Sequence, residues 1–309
     1  MSSMAGDEVF AHPALFYRTG QEYAEQTVSF VRDGLAAGEP VAVAVPGPQL
    51  ELIRSGLGAD ARDVRLLDMT EAGRNPGRII PGVLKAFADA HRQSRVRIIG
   101  EPIWAERSTV EYPACAQHEA LINAAFEGRA VTILCPYDES RLDAAVLADA
   151  RVTHPTVIAG GRERPSDVYD WQAVVARYNE ALVPAADAAV HAFGAEELPT
   201  VRHFAVDRAA RLGLAGQRLQ DAELAVAELT TNSVVHGGGR GTLALWAEGG
   251  QVVCEVRDEG RLTDPLAGRR PPERGQIGGR GLMLVHYVAD LVRVHTSEAG
   301  TTVRFYLTY

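Results

Sequence analysis

The chain has three cysteines in 309 residues, Cys115, Cys135 and Cys254, too few, too scattered and odd in number to frame a disulfide scaffold. No C-x-x-C pair is present, so a zinc site finds no support either. Cys135 and Cys254 fall inside apolar runs and read as small buried hydrophobes. Basic charge is not in excess. A net charge of −9 argues against generic DNA binding, which needs a basic face to displace counterions. Long apolar runs are missing too: nothing approaches a membrane span, and the opening M-S-S-M-A-G-D-E-V-F has neither part of a leader. A cytoplasmic protein with no direct nucleic-acid or membrane partner is therefore expected. No internal repeat or low-complexity segment stands out. A composition of 46% hydrophobic and 23% charged residues suits a soluble globular protein, and the length suits about two domains.

The first half alternates helices with short apolar strands. Residues 21–37 have helical spacing, and V-A-V-A-V is a buried strand closed by Pro46, Gly47 and Pro48. A helix over 50–57 precedes the strand V-R-L-L-D-M. Pro76 and Gly77 then open a helix through Val83, Leu84, Phe87 and Ala90. The strand V-R-I-I-G, a helix over 112–126 and the strand A-V-T-I-L-C follow. Such alternation predicts an α/β fold with a mainly parallel sheet covered by helices, its ligands at the carboxyl ends of the strands.

Polar residues gather at those ends. V-R-I-I-G runs into Glu101 and Trp104, A-V-T-I-L-C runs into Tyr137, and H-P-A-L-F-Y places His12 and Tyr17 at the start. His118, Glu119 and Asn123 share the intervening helix. Two readings stand side by side. These residues line a small-molecule sensing pocket, or they cap helices and satisfy buried backbone groups. Metal binding by His118 together with Glu119 is not expected, because helix neighbours point about a hundred degrees apart. The turn P-G-P-Q-L-E-L lacks the Gly-Lys-Ser/Thr ending of a phosphate-binding loop, so nucleotide hydrolysis is not expected in this half.

Residues 161–189 begin with G-R-E-R-P-S-D and read as a linker. They end in a connecting helix over 171–183, which Ser166 or Asp167 would cap and which would pack between domains or on a second copy of the chain.

The second half carries a more specific pattern. In 219–236, Leu219, Ala222, Val226 and Leu229 form one buried helical stripe. Glu228, Asn232 and His236 recur every fourth residue on another stripe, and three glycines then end the helix. Asn offers a neutral oxygen to a hard cation such as Mg²⁺. Glu one turn earlier can take a proton from a nucleophile attacking a phosphoryl group. A solvated helix face with a capping His is the plainer reading. Two strands follow, 242–247 and 252–258, the second ending at Asp258 with Gly260 just beyond. Such a carboxylate can accept from an exocyclic amine while the glycine admits a flat ring, or the segment is an ordinary Asp turn. Residues 261–277 are rich in Arg, Pro and Gly and read as a mobile lid, with Arg269, Arg270 and Arg274 as a local cluster. The lid closes on G-G-R-G-L, whose glycines lead into a helix that offers an anion site at its start. Two final strands end in G-T-T-V-R-F-Y-L-T.

The ordered set E-L-T-T-N-S-V-V-H, D-E-G, G-G-R-G-L and G-T-T-V resembles the Bergerat-type ATP-binding fold of the GHKL superfamily, over roughly residues 190–309. Within it, the RsbW-like anti-sigma factor and serine protein kinase branch is the nearest likeness. The resemblance implies an α/β two-layer sandwich that binds ATP and Mg²⁺. It implies Glu228 as catalytic base, Asn232 as Mg²⁺ ligand and Asp258 as adenine reader, with Gly260 making room. Gly279, Gly281 and Leu282 belong to the phosphate-facing hinge. Thr301 or Thr302 stands near the adenine, and His236 occupies the motif's His position. Arg280 reaches phosphates or is a solvated lid residue.

The first half, through H-x-x-x-x-Y, G-E-P-I-W, Q-H-E-A-x-x-N and C-P-Y-D, resembles a MEDS sensory domain over roughly residues 10–160, which implies a RecA-like core. The expected protein is a sensory regulator. It sequesters a sigma factor, or phosphorylates a Ser or Thr of an antagonist protein, under control of a small-molecule ligand. A non-catalytic ATP-binding regulator is the alternative. A sensor histidine kinase is a third: it needs a long helical hairpin before the ATPase, and only about forty residues separate the two modules.

Overall fold

The computed structural model describes residues 10–270 and 279–309. Two compact units divide the chain: residues up to 74 together with 79–178, and residues 179–309 together with 75–78. Among the described residues, no helix is long and apolar enough to cross a membrane.

The first unit opens with β1 (Phe10–Ala11) and β2 (Pro13–Tyr17), then α1 (Gly20–Ala36), which Thr19 caps by accepting from Glu22 N. It continues with β3 (Val41–Val45), α2 (Gly47–Leu57), β4 (Val64–Asp68) and α3 (Met69–Ala72). A wide helical turn at Ile80–Lys85 leads into α4 (Ala86–Ala90), then β5 (Val96–Gly100), α5 (Tyr112–Ala125) and β6 (Val131–Asp138). Last come α6 (Ala144–Thr153), β7 (Thr156–Ala159), β8 (Arg162–Pro165) and α7 (Trp171–Arg177).

These strands form one sheet in the order β4-β3-β5-β6-β2-β7-β8, with β1 also on β6. Every pairing is parallel except β7 with β8. Strand alternation gives the sheet two buried faces. Val41, Val43, Val45, Leu15, Tyr17 and Leu134 pack under α1 and α2. Cys135 and His12 meet Glu119 of α5 on the opposite face. The expected parallel sheet with helices on both faces is present. Strands β2 and β7, which the sequence reading missed, lie inside it.

The segment read as a linker is structured. β8 pairs with β7, and α7 buries Val174 against Ala116 and Ala120 of α5. Its cap is Asp170, accepting from Ala173 N at 3.0 Å. Ser166 instead donates to Arg151 O. The helix stops at Arg177 because Tyr178 turns its hydroxyl onto buried Asp149, which Arg177 and Tyr112 also engage. Residues 178–188 form no helix, so among the described residues no helical hairpin stands between α7 and the next strand.

The second unit comprises β9 (Ala189–Gly194), α8 (Leu198–Arg211), α9 (Gly216–His236), β10 (Arg240–Glu248) and β11 (Gln251–Asp258), then α10 (Gly281–Val288), β12 (Leu291–Ser297) and β13 (Gly300–Thr308). The sheet is antiparallel in the order β12-β13-β11-β10-β9. One face carries Leu243, Leu245, Cys254, Val256, Phe305 and Leu307 against Val201, Ala205, Val226, Leu229 and Val285 of the three helices. This is a two-layer sandwich, and the burial of those aliphatic side chains is its main source of stability. On the other face, Arg304 donates to Glu255 at 2.8 Å and lies over the Trp246 ring.

Candidate functional site

A cavity of about 470 Å³ opens in the second unit between the C-terminal half of α9, the end of β11, the start of β13 and the start of α10. Its floor follows from strand register. Asp258 pairs with Thr301, so both project from the helix-covered face, as Val256 and Val303 do. Thr302, the other candidate, pairs with Arg257 on the opposite face and does not line the cavity.

The Asp258 carboxylate is held at both oxygens. Oδ2 accepts from Ser233 Oγ at 2.6 Å, and Oδ1 accepts from Gly260 N at 2.9 Å. Each oxygen keeps a further lone pair for a ligand donor. Glycines make the space around it. A Cβ on Gly260 would come within 2.6 Å of His236 O and 2.7 Å of Gly237 Cα, and one on Gly237 would collide with the Asp258 carboxyl group. Gly300, at φ +130°, brings its Cα against Asp258 O, where no Cβ fits. Thr301 Oγ1 donates to Gly260 O at 2.8 Å, and Leu262 N donates to the hydroxyls of Thr296 and Thr301, each at 3.1 Å. The turn after β11 is thereby fixed beneath the cavity.

Asn232 lines the cavity half-buried, and His236 lines it from the exposed last residue of α9. The helix ends at Gly237 because Gly238 and Gly239 take φ of 89° and 86°, which glycine alone adopts freely. Gly279, Gly281 and Leu282 border the opening where α10 begins, and a helix start offers backbone N–H groups to an anion. Glu228 is one turn before Asn232 but is not among the lining residues. Its Oε2 lies 2.6 Å from where a Gly281 Cβ would stand. Arg280 is exposed at the cap of α10 and also lies outside the lining.

The segment read as a mobile lid is anchored over its first ten residues. Leu266 is 5% exposed, its N–H bonds Asp264, and Arg270 pairs with Asp264 at 2.7 Å on the cavity rim. Arg269 is buried rather than part of an exposed basic cluster, and Arg274 lies outside the described residues. Sequence reasoning missed Ser233, Leu262 and Thr296. Ser233 is one position off the Glu228–Asn232–His236 row, and the other two matter only through turn geometry.

In the first unit, the residues expected to share one pocket divide between the two sheet faces. Tyr17 lies on the α1 face with Tyr23, whose hydroxyl donates to Glu101 at 3.0 Å. Burial raises the Glu101 carboxyl to about 8. His12, Glu119 and Asn123 meet on the α5 face together with Cys135 and His154, and the Tyr137 ring stands edge-on to His154. Burial, then the neighbouring His154, lowers the His12 imidazole to about 4. Trp104 is stacked by the Arg107 guanidinium at 4.0 Å. His118 is buried, yet it is not part of the cluster around its neighbour Glu119.

Comparison with known proteins falls on the same two stretches. Residues 11–155 match the MEDS family, the methanogen/methylotroph, DcmR sensory domain. Residues 192–307 match the histidine kinase-like ATPase domain. No curated protein matches the chain. Among solved structures, the RsbU and RsbW domains of Rv1364c from Mycobacterium tuberculosis are similar at 19% identity with a TM-score of 0.29. That match covers 39% of this chain and 32% of the other, so the chain spans about a third of that protein's length.

Proposed function

With a MEDS sensory domain at residues 11–155 and a histidine kinase-like ATPase domain at 192–307 as the premise, we propose that the chain is an ATP-dependent signalling switch. In this reading the second unit binds Mg²⁺·ATP and acts as an anti-sigma factor and serine/threonine protein kinase, governed by a ligand of the first unit. The observation that carries nucleotide binding is the doubly anchored Asp258 on the floor of a cavity that only glycine at 237 and 260 leaves open. The donor set fits ATP: a carboxylate for an exocyclic amine, helix-start N–H groups for phosphates, and the Asn232 amide oxygen for Mg²⁺.

When bound, ATP supplies the transferable phosphoryl group and Mg²⁺ offsets its charge. Asp258 selects the base, while Ser233 and Gly260 N keep its carboxylate from turning. Glu228, half-buried beside the start of α10, takes the hydroxyl proton of a Ser or Thr on an antagonist protein. In the other state the same domain holds a sigma factor.

Glu228→Ala should leave Mg²⁺·ATP affinity within about threefold of wild type and abolish transfer of radiolabel to an antagonist, a loss of at least about 10²-fold. Undiminished transfer in that variant would remove Glu228 from the role. One observation favours a second reading, a non-catalytic nucleotide-binding regulator: Glu228 stands outside the residues that line the cavity. Wild-type chain that retains ATP yet labels no antagonist supports that reading instead.

A further inference from the structure

A second polar cluster, on the α5 face of the first unit, takes no part in nucleotide chemistry. His12 precedes β2, Glu119 is on α5, Cys135 is on β6 and His154 closes α6. Each is no more than 1% exposed, and their ligating atoms lie within 4.8 Å of one another.

The hydrogen bonds around the cluster set both imidazole tautomers. Asn123 Nδ2 donates to Ala120 O at 3.0 Å and to Thr153 O at 2.8 Å, so its Oδ1 is an acceptor. That oxygen lies 3.2 Å from His12 Nδ1, which must therefore carry the proton. His154 Nδ1 lies 2.7 Å from Ala150 O and must do the same. With both rings in the neutral form that metal ligation requires, their Nε2 lone pairs face inward. His154 Nε2 is 3.1 Å and His12 Nε2 is 3.6 Å from the same Glu119 oxygen, and Cys135 Sγ is 3.4 Å from His12 Nε2. Neither Glu119 oxygen nor His154 Nε2 reaches hydrogen-bond geometry. In that form three acceptors face one another in a dry interior with only the Cys135 thiol to donate, a repulsion that a metal ion, or an added proton, among them relieves. Metal-bound histidines are commonly fixed in this way, with Nδ1–H tied to an oxygen acceptor.

Three of the six ligand–ligand separations already fit a tetrahedron, and all six are within 4.8 Å. Bonds of about 2.0–2.3 Å from Zn²⁺ to N, O and S imply edges of roughly 3.3–3.8 Å, close to the separations above. Charge balances as well, since a carboxylate, a thiolate and a dication sum to zero in a site with no water to screen a residual charge.

We propose that His12 Nε2, Glu119, Cys135 Sγ and His154 Nε2 hold one tetrahedral divalent cation of the Zn²⁺ class. On binding, the Cys135 S–H bond breaks, a sulfur–metal bond forms and the proton leaves to solvent, with no change of oxidation state. Four protein ligands leave no open position, so the ion is structural or itself the sensed species rather than catalytic. It ties together the entry to β2, α5, β6 and the end of α6.

The test uses untagged full-length chain loaded with Zn²⁺ or Co²⁺ and dialysed against a weak chelator. The expected result is about one metal per chain, an X-ray absorption shell of one sulfur and three N/O ligands, and thiolate-to-cobalt charge-transfer absorption. Cys135→Ser should lose that absorption, while Cys115→Ser and Cys254→Ser keep it. Glu119→Gln should weaken binding by at least about 10-fold, and its far-ultraviolet circular dichroism reports whether it folds. Folded wild type that retains no metal would overturn the site, as would a shell without sulfur or a cobalt band indifferent to Cys135→Ser. Those results would leave Glu119 paired to an imidazolium only.

Discussion

The two polar centres of this molecule are built in opposite ways. The cavity of the second unit is open, half-exposed and bordered by glycines, and most of its polar residues come from one helix and the ends of two neighbouring strands. The cluster of the first unit is closed, fully buried and assembled from single residues on four separate elements. An open site with spare lone pairs suits a ligand that enters and leaves. A closed one with its acceptors turned inward suits an ion that stays. The difference predicts which substitutions disturb which centre.

The largest effect that would sharpen the contrast is expected at Gly260. Gly260→Val places side-chain carbon against His236 O and Gly237 Cα, which are backbone and cannot step aside. Mg²⁺·ATP affinity measured by calorimetry should fall by at least about 100-fold, from steric overlap of the kind that costs 1–3 kcal/mol in packed interiors plus loss of the base slot. Metal content of the first unit should stay unchanged, and a parallel loss there would break the comparison. Asp258→Asn should weaken ATP by about 10–100-fold and erase any preference over GTP, since charge-assisted bonds of this kind contribute about 1.5–3 kcal/mol. Equal affinity of the wild type for both nucleotides would remove Asp258 from base reading.

Val174→Ala tests the first unit alone. Val174 is wholly buried against Ala116 and Ala120, and its truncation should cost about 2 kcal/mol in denaturant unfolding with no change in nucleotide affinity. The last test concerns pH. Burial holds Glu101 protonated up to about 8, above its ordinary value of 4.5. Between those values the folded chain keeps a proton that the unfolded chain releases, so stability falls as pH rises through the window. Glu101→Gln should therefore match wild type near pH 4.5 and exceed it by several kcal/mol at pH 8, at about 1.4 kcal/mol for each unit of the rise. An unchanged difference between the two pH values would show that Glu101 is ionised in the fold.

What the sequence disclosed follows the same divide. Glu228, Asn232 and His236 were legible because helical spacing alone puts them on one stripe, and Asp258 because it ends an alternating strand. The choice between Thr301 and Thr302 was not legible, since it rests on the pairing of Thr301 with Asp258 across two strands. The first unit's sheet could be read from its apolar runs, but not β2, which begins with a proline. The end of α7 was overrun because Val183 looks apolar, yet it is 78% exposed beyond the helix. The reasoning that neighbouring His118 and Glu119 diverge on a helix holds, but it could not foresee partners for Glu119 arriving from elsewhere. His12 and Cys135 are 123 residues apart and meet only because β2 and β6 run side by side. Cys135 is buried in its strand as expected, but its approach to His12 could not be read from its apolar neighbours.

The close approach of Gly300 to Asp258 O has a practical consequence for engineering. A hairpin tip between two strands is ordinarily where a tag, a loop graft or a circular permutation is tried first. Here the tip between β12 and β13 props up the carbonyl of the residue assigned to base recognition, with no space for even one methyl group. Inserts at 298–300 would be felt at the nucleotide cavity, so fusion partners belong at the Gly249–Gly250 turn instead, where an added Cβ meets nothing within 4 Å.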